Sequence, residues 1–528
     1  MLRNRSTGRK TLKFLKHIFV LVWLGAAAFA QGGIAIPLPP PNPKIPYPNP
    51  IKHVVLIIQE NRTPDNLFHT LLTYPGVIPG RYDLASSGLA LVNGQDQVVQ
   101  LTSAPLGLDY DLSHSHVAFE SMWDNGAMDG ANLIVDNCGP HATDCTNHGI
   151  GQFLGYRYVQ ASDIDPYLQM ATQYGWANYM FQTNQGPSFA AHQILFSGTS
   201  AQTSDDDAIG IFFAEVPGAP PGGNYYGLYD SGCLGPEGEV NALISPASAP
   251  KTYTIANDPL GTFCFDHASM ADLLDTAQLS WKYYAQESSN NPYPNDPSKT
   301  GYNPAGYMFT APNSIYDICL PDYTQNPPVC TGPEYTANID LTPADVLTDI
   351  TNCNLASEAW VTPTALNADH SGTVNDTGGP SWVASVVNAI GNNKTCEQGA
   401  GYWSDTVILV MWDDWGGWYD HVAPAILPGP QGDYELGFRV PFLVISPYTP
   451  PGYVSNLHYE FGSILRFMQG VFNIPEGSLG FSDARANTDL SGFFNFKMAP
   501  RPFKTIQAPL DAKHFLEEPP SSEPIDSD

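Results

Sequence analysis

The chain has 528 residues, 43% hydrophobic and 14% charged, with 52 acidic and 22 basic residues giving a formal net charge of −30. That apolar content excludes a solvated acidic tail, and that negative field argues against nucleic acid as a partner. An anionic substrate must be drawn in locally, by a metal ion or by helix N-termini.

Arg3, Arg5, Arg9, Lys10, Lys13 and Lys16 precede an apolar run from about Ile18 to Phe29, and Ala28-Phe29-Ala30 supplies a small-x-small cleavage site. This order predicts a signal peptide over residues 1–30, a secreted or periplasmic chain, and no stable membrane span, the run being shorter than the ~20 residues a span needs. Its removal leaves 16 basic residues against 52 acidic ones, a net charge of −36. Residues 31–50 form a leader, proline-rich from 34 onward. From 51 to 503 no linker or repeat interrupts what reads as one large domain, and residues 504–528 read as a disordered tail.

Within the domain, Val54–Ile58, Val407–Trp412 and Val440–Ile445 are continuous apolar runs, the pattern of buried strands in a mostly parallel sheet covered on both faces. Helices are predicted from Pro187 through Ile194, from an Asp266 cap to about Ala277, from Trp382 to Ile390, and after Glu460, where Phe461, Ile464, Leu465, Met468 and Phe472 recur at helical spacing. Strands alternating with helices indicate an α/β fold. All eight cysteines follow the signal, and an even count in an exported chain favours disulfides over a zinc site, for which no CxxC spacing exists. The simplest pairing joins neighbours: 138 with 145, 233 with 264, 319 with 330, and 353 with 396.

Ligands collect at the carboxyl ends of strands in such sheets. The first strand runs into Gln59-Glu60-Asn61-Arg62 and the second into Asp413-Asp414-Trp415-Gly416-Gly417, so hard oxygen ligands suited to one divalent ion stand at two strand ends. Ser188, behind Pro187 at a helix N-terminus, is placed for a lowered pKa and for backbone N–H contacts to phosphate.

Six ordered blocks then carry a resemblance. Ile51-Lys-His-Val-Val-Leu-Ile-Ile-Gln-Glu-Asn-Arg-Thr-Pro-Asp-Asn-Leu-Phe68 is similar to the opening motif of the phosphoesterases that include non-haemolytic and plant non-specific phospholipases C and a bacterial acid phosphatase. The other five are Asp111 to His116 with Trp123 to Gly130, Gly186-Pro-Ser188 with Ser197-Gly-Thr199, Ala368-Asp-His370 with Gly379 to Val383, Trp412 to Val422, and Gly437 to Ser446. The resemblance implies an alkaline-phosphatase-like sandwich with long disulfide-bearing insertions. It implies Glu60, Asn61, Ser188, Asp413 and Asp414 as metal ligands, with Ser188 as the nucleophile that forms a phosphoseryl intermediate. His114 and His370 match histidines that hold phosphoryl oxygens or serve the leaving group, and His421 is a further acid or supporting group.

The expected substrate is a phosphoester, either a phospholipid or a soluble phosphomonoester. The alternative is a secreted binding protein of the same fold without turnover. One departure stands out: many relatives continue the nucleophile segment with Pro-Asn-Arg, where this chain has Ala190-Ala191-His192. His192 is open between a packed helix residue and a pH-dependent anion contact. His53, His116, His267 and His458 read as structural.

Overall fold

In a computed structural model of the chain, the continuous apolar runs become central strands of an eight-stranded sheet. The structure describes residues 44–138, 153–213, 233, 240–244, 253–257, 264–286, 311–322, 324–325, 329–372, 377–425 and 436–520, all within the compact unit Pro37–Asp528. The expected signal peptide lies outside these, as does Cys145 of the expected Cys138–Cys145 pair.

The strands are β1 (His53–Gln59), β2 (Gly175–Phe181), β3 (Trp281–Tyr284), β4 (Ile339–Asp340), β5 (Glu358–Val361), β6 (Thr406–Trp412), β7 (Phe442–Ile445) and β8 (Tyr453–Glu460). Their order across the sheet is β4-β3-β5-β1-β6-β7-β2-β8. In the middle, β1 pairs in parallel with β5 and β6, placing Val54 opposite both Glu358 and Val407. The run Val440–Ile445 differs from expectation: its strand begins at Phe442 and lies antiparallel to both β6 and β2. Burial on both faces gives a strand a continuous apolar run whichever way it points, so that pattern carries no direction.

Every residue of β1 and β6 is buried, so both faces of the sheet are covered. Each fully buried Val, Leu or Ile side chain contributes about 1.5–3 kcal/mol of transfer free energy. The helices fall into two groups. In one, α2 (Ala161–Gln173) packs on α5 (Gly378–Asn392), which also meets α7 (Ala512–Glu517). In the other, α3 (Ser188–Ser197) packs on α4 (Met270–Thr276) and α6 (Phe461–Val471). A further helix, α1 (His116–Trp123), belongs to a separate apolar cluster with Trp415, Trp418 and Phe438.

Two expectations need correction. Asp266 does not cap α4; its N–H donates to Gln202 O in a bridge to Thr203, and Ser269 caps the helix with Asp272 completing a capping box. The tail is not disordered from residue 504: it folds through α7, where Phe515 is buried edge-on to Trp382 and Glu518 accepts from Asn367 Nδ2 at 2.8 Å. A single aromatic anchor outweighs the polar composition around it. The end of the leader is docked as well, with Ile45 in the core and Asn49 Nδ2 donating to Val471 O. Cys233–Cys264, Cys319–Cys330 and Cys353–Cys396 are disulfides, the neighbour pairing expected.

Candidate active site

Because β1 and β6 are parallel neighbours, their carboxyl ends open at the same edge of the sheet. Backbone bonds fasten the two exits together: Asp413 N–H donates to Gln59 O and Arg62 N–H to Asp414 O, each at 2.9 Å. Asn61 adopts φ 58°, a left-handed conformation that asparagine tolerates, and its N–H donates to Asp413 Oδ1 at 3.1 Å. Gly416 has to be glycine here, since a Cβ would lie 2.3 Å from Asn61 O.

The chain leaving β2 reaches the same edge. Gln182 and Asn184 side chains both donate to Gly186 O, which fixes the turn before Pro187. Pro187 is the N-cap of α3, one place earlier than expected, and Ser188 is its first residue. The Ser188 hydroxyl donates to Asp414 Oδ2 at 2.8 Å and lies 3.3 Å from Asn61 Oδ1 and 3.4 Å from Glu60 Oε2. One turn later on the same face, His192 Nε2 stands 3.3 Å from Glu60 Oε1 and 3.5 Å from Asp413 Oδ2. All six side chains are fully buried.

Three carboxylates buried this close together require positive charge. Glu60, His192 and Asp413 each offer a ligand atom within 4.8 Å of the others. Burial would raise the Asp413 carboxyl, but hydrogen bonding and charge from His192 more than offset it and hold it below the usual range. Carboxylate, amide and hydroxyl oxygens with one imidazole fit a divalent ion, and the ligand set expected at Glu60, Asn61, Ser188, Asp413 and Asp414 is brought together. His192 joins it. Its four-residue spacing from Ser188 sets it on the same helix face, a signal that gains meaning only where α3 meets the two strand exits.

Next to the cluster, His114 Nδ1 donates to Leu112 O at 2.8 Å, which leaves Nε2 to accept from Asn61 Nδ2 at 3.2 Å. Asn61 thus turns its oxygen toward Ser188 and its nitrogen toward His114. The ring of His370, half-buried, lies 6.2 Å from that of His114, and its Nδ1 is bonded to Ser371 O. Asp369, at φ 67°, is locked from three sides by Arg62, Tyr167 and Trp412. The sequence reading missed that support.

His421 has another setting. Its Nδ1 is 2.7 Å from Asp65 Oδ2 and its Nε2 is 3.3 Å from Asp83 Oδ1, beside the buried Arg439–Asp420 pair. Burial would lower its pKa, but bonds to Asp65 and Asp83 lift it to about 10, a persistently charged imidazolium and a poor proton donor near neutrality. Asp65, Asp420 and His421 resemble a metal triad in composition, yet Arg439 already supplies the cation there. The histidines expected to be structural make these contacts: His53 Nδ1 bonds Ala356 O, His116 Nδ1 bonds Gln185 O, His267 Nδ1 bonds Ala268 O, and His458 packs on Tyr179.

Comparison with known proteins places these features. The family model described as Phosphoesterase family matches residues 51–475. A non-hemolytic phospholipase C from Pseudomonas aeruginosa is 26% identical over 46% of this chain and 38% of its own length. Phospholipase C A from Mycobacterium tuberculosis is 24% identical over 91% of this chain and 84% of its own. A solved structure of a protein in the alkaline phosphatase superfamily from Vibrio parahaemolyticus matches with TM-score 0.29 and 10% identity, over 78% of this chain and 76% of that one, too loosely to carry weight.

Proposed function

The chain belongs to the phosphoesterase family, and we propose that it is an exported, metal-dependent phosphoester hydrolase with Ser188 as its nucleophile. The observation that carries this reading is the Ser188 hydroxyl at a helix N-terminus, 2.8 Å from Asp414 Oδ2, inside a fully buried cluster of three carboxylates and an amide. Glu60, Asn61, Ser188, Asp413, Asp414 and His192 would hold one divalent ion, which when bound supplies charge neutralisation for a phosphoryl group and favours the serine alkoxide.

In this mechanism Ser188 passes its proton to Asp414, and its oxygen attacks phosphorus. The bond to the leaving alcohol breaks, and His370 in its protonated form, its Nδ1 held on Ser371 O, gives its Nε2 proton to that alcohol, while His114 stays neutral beside the phosphoryl group. Water then cleaves the phosphoserine in the reverse sense. Asn61 keeps His114 oriented throughout through its amide nitrogen. The relatives' names support a phospholipid substrate, and the product separates it from a soluble monoester. The test supplies phosphatidylcholine and a phosphomonoester with and without chelator. Diacylglycerol release marks the first, free phosphate the second, and both stop on chelation. Turnover that survives complete removal of metal, or no release from either substrate, overturns the reading.

A further inference from the structure

The rings of His114 and His370 lie 6.2 Å apart, and one short strand steadies both. Tyr110–Leu112 pairs antiparallel with Asp136–Cys138, setting Asp111 opposite Asn137, and Ser113 N–H extends the ladder to Val135 O at 2.9 Å. From that strand the Leu112 carbonyl accepts from His114 Nδ1 at 2.8 Å. The neighbouring Asp111 carboxylate reaches the loop of the other histidine, 260 residues away in sequence. There its Oδ1 accepts from Ser371 Oγ at 2.7 Å.

His370 and Ser371 sit between Asp369 at φ 67° and Gly372 at φ 84°, so left-handed residues turn the backbone on either side of them. Before the histidine, Arg62 grips the Asp369 carbonyl. After it, the buried Ser371 hydroxyl is anchored on half-buried Asp111. A hydroxyl held by a carboxylate is roughly twice as strong a bond as one between neutral groups. The Ser371 carbonyl in turn accepts from His370 Nδ1, so the place of Ser371 sets the place of the ring. The hydroxyl that Asp111 holds and the carbonyl that holds the ring are separate groups of Ser371. Asp111 therefore acts by placing the backbone and relays no proton.

We propose that Asp111 is the positioning residue for the general acid, holding the His370 ring through Ser371 with Nε2 toward the leaving alcohol. The inference rests on His370 serving as that acid in the mechanism above. Proton donation matters most when the departing alcohol is strongly basic. A glycerol alkoxide needs the proton, whereas a nitrophenolate leaves without it. Misplacing His370 should therefore slow alkyl esters selectively, which a general loss of stability would not do.

The test compares leaving groups. kcat/KM, which reports the steps up to departure of the alcohol, is measured for p-nitrophenyl phosphate against glycerol phosphate, and for p-nitrophenylphosphocholine against phosphatidylcholine. Asp111→Ala should lower it roughly 10²-fold for the glycerol esters, the effect of a misplaced catalytic group, and far less for the nitrophenyl esters. Ser371→Ala removes only the hydroxyl and should show the same selective loss, and it decides alone where Asp111→Ala fails to fold. Asp111→Asn keeps an acceptor for Ser371 Oγ and should recover most of the rate. Equal losses on both leaving groups in the two alanine variants, or no loss on either, overturn the proposal. His370→Ala separates this inference from the reading beneath it. If His370→Ala is selective and Ser371→Ala is not, the acid stands and the role of Asp111 falls. If His370→Ala slows both ester types equally, His370 is not the acid and the inference falls with it.

Discussion

Replacing Asp369 by alanine strands two buried donors immediately before His370. The Asp369 carboxylate accepts from Tyr167 OH at 2.7 Å and from Trp412 Nε1 at 3.1 Å, while its carbonyl takes Arg62 Nε at 2.8 Å and Nη2 at 2.6 Å. Each buried donor left without an acceptor costs about 1–3 kcal/mol. Holding alanine at a left-handed φ adds about 1 kcal/mol. The alanine variant should therefore lose about 3–7 kcal/mol of stability. Asparagine keeps an acceptor and tolerates the left-handed conformation, so it should retain most of that stability and most of kcat.

The same residue sets a pH signature. Burial lifts the Asp369 carboxyl to about 6 from its ordinary 3.8, against the opposing pull of Tyr167, Arg62 and Trp412. The folded chain thus binds this proton more tightly than the unfolded chain. Its stabilisation is fully present below pH 3.8 and is lost as pH rises through 6, at about 1.4 kcal/mol per pH unit. Asparagine does not ionise, so the stability difference between Asp369→Asn and wild type should grow from pH 4 to 6 and then level off. Denaturant melts of wild type, Asp369→Asn and Asp369→Ala at pH 4, 5, 6 and 7, with kcat for each, measure both effects. An alanine variant as stable and active as asparagine, or a pH-independent offset for asparagine, refutes the argument.

His192→Ala should weaken metal binding about 10–100-fold while the helix persists, read by metal titration of the purified variant. Glu358, fully buried with no donor to either oxygen, is held well above the carboxylate range by desolvation. Its neutral form is the one that folds, so stability falls as pH rises above 4.5 toward the folded pKa, and the advantage of Glu358→Gln in thermal melts should widen over that range. Mass spectrometry of the exported chain under alkylation should show an N-terminus near Gln31 and no free thiols.

The fold was legible where burial writes a pattern. Val54–Ile58 and Val407–Trp412 carry it because β1 and β6 are covered on both faces, and Glu60, Asn61, Asp413 and Asp414 stand out in sequence because they sit where those runs stop. The direction of β7 was not legible, since Val440–Ile445 is equally apolar either way. His421 looks near the site in sequence because its neighbour Asp420 lies seven residues from Asp413, while its hydrogen bonds go to Asp65 and Asp83, more than 330 residues away. His192 stood in sequence as one histidine in an apolar helix, and only the convergence of α3 on the two strand exits gave it a role. Tail order was hidden because Phe515 finds Trp382 through tertiary packing alone.

The account rests most heavily on Ser188, and covalent trapping tests it directly. Wild type turning over substrate is quenched in acid, digested, and searched for phosphate on the peptide that contains Ser188. The account predicts phosphoserine at Ser188 in wild type, together with a Ser188→Ala variant that keeps its fold while kcat falls by roughly 10³ to 10⁶. A Ser188→Ala variant retaining about a tenth of the wild-type rate, far above that range, with no phosphopeptide in wild type, contradicts it.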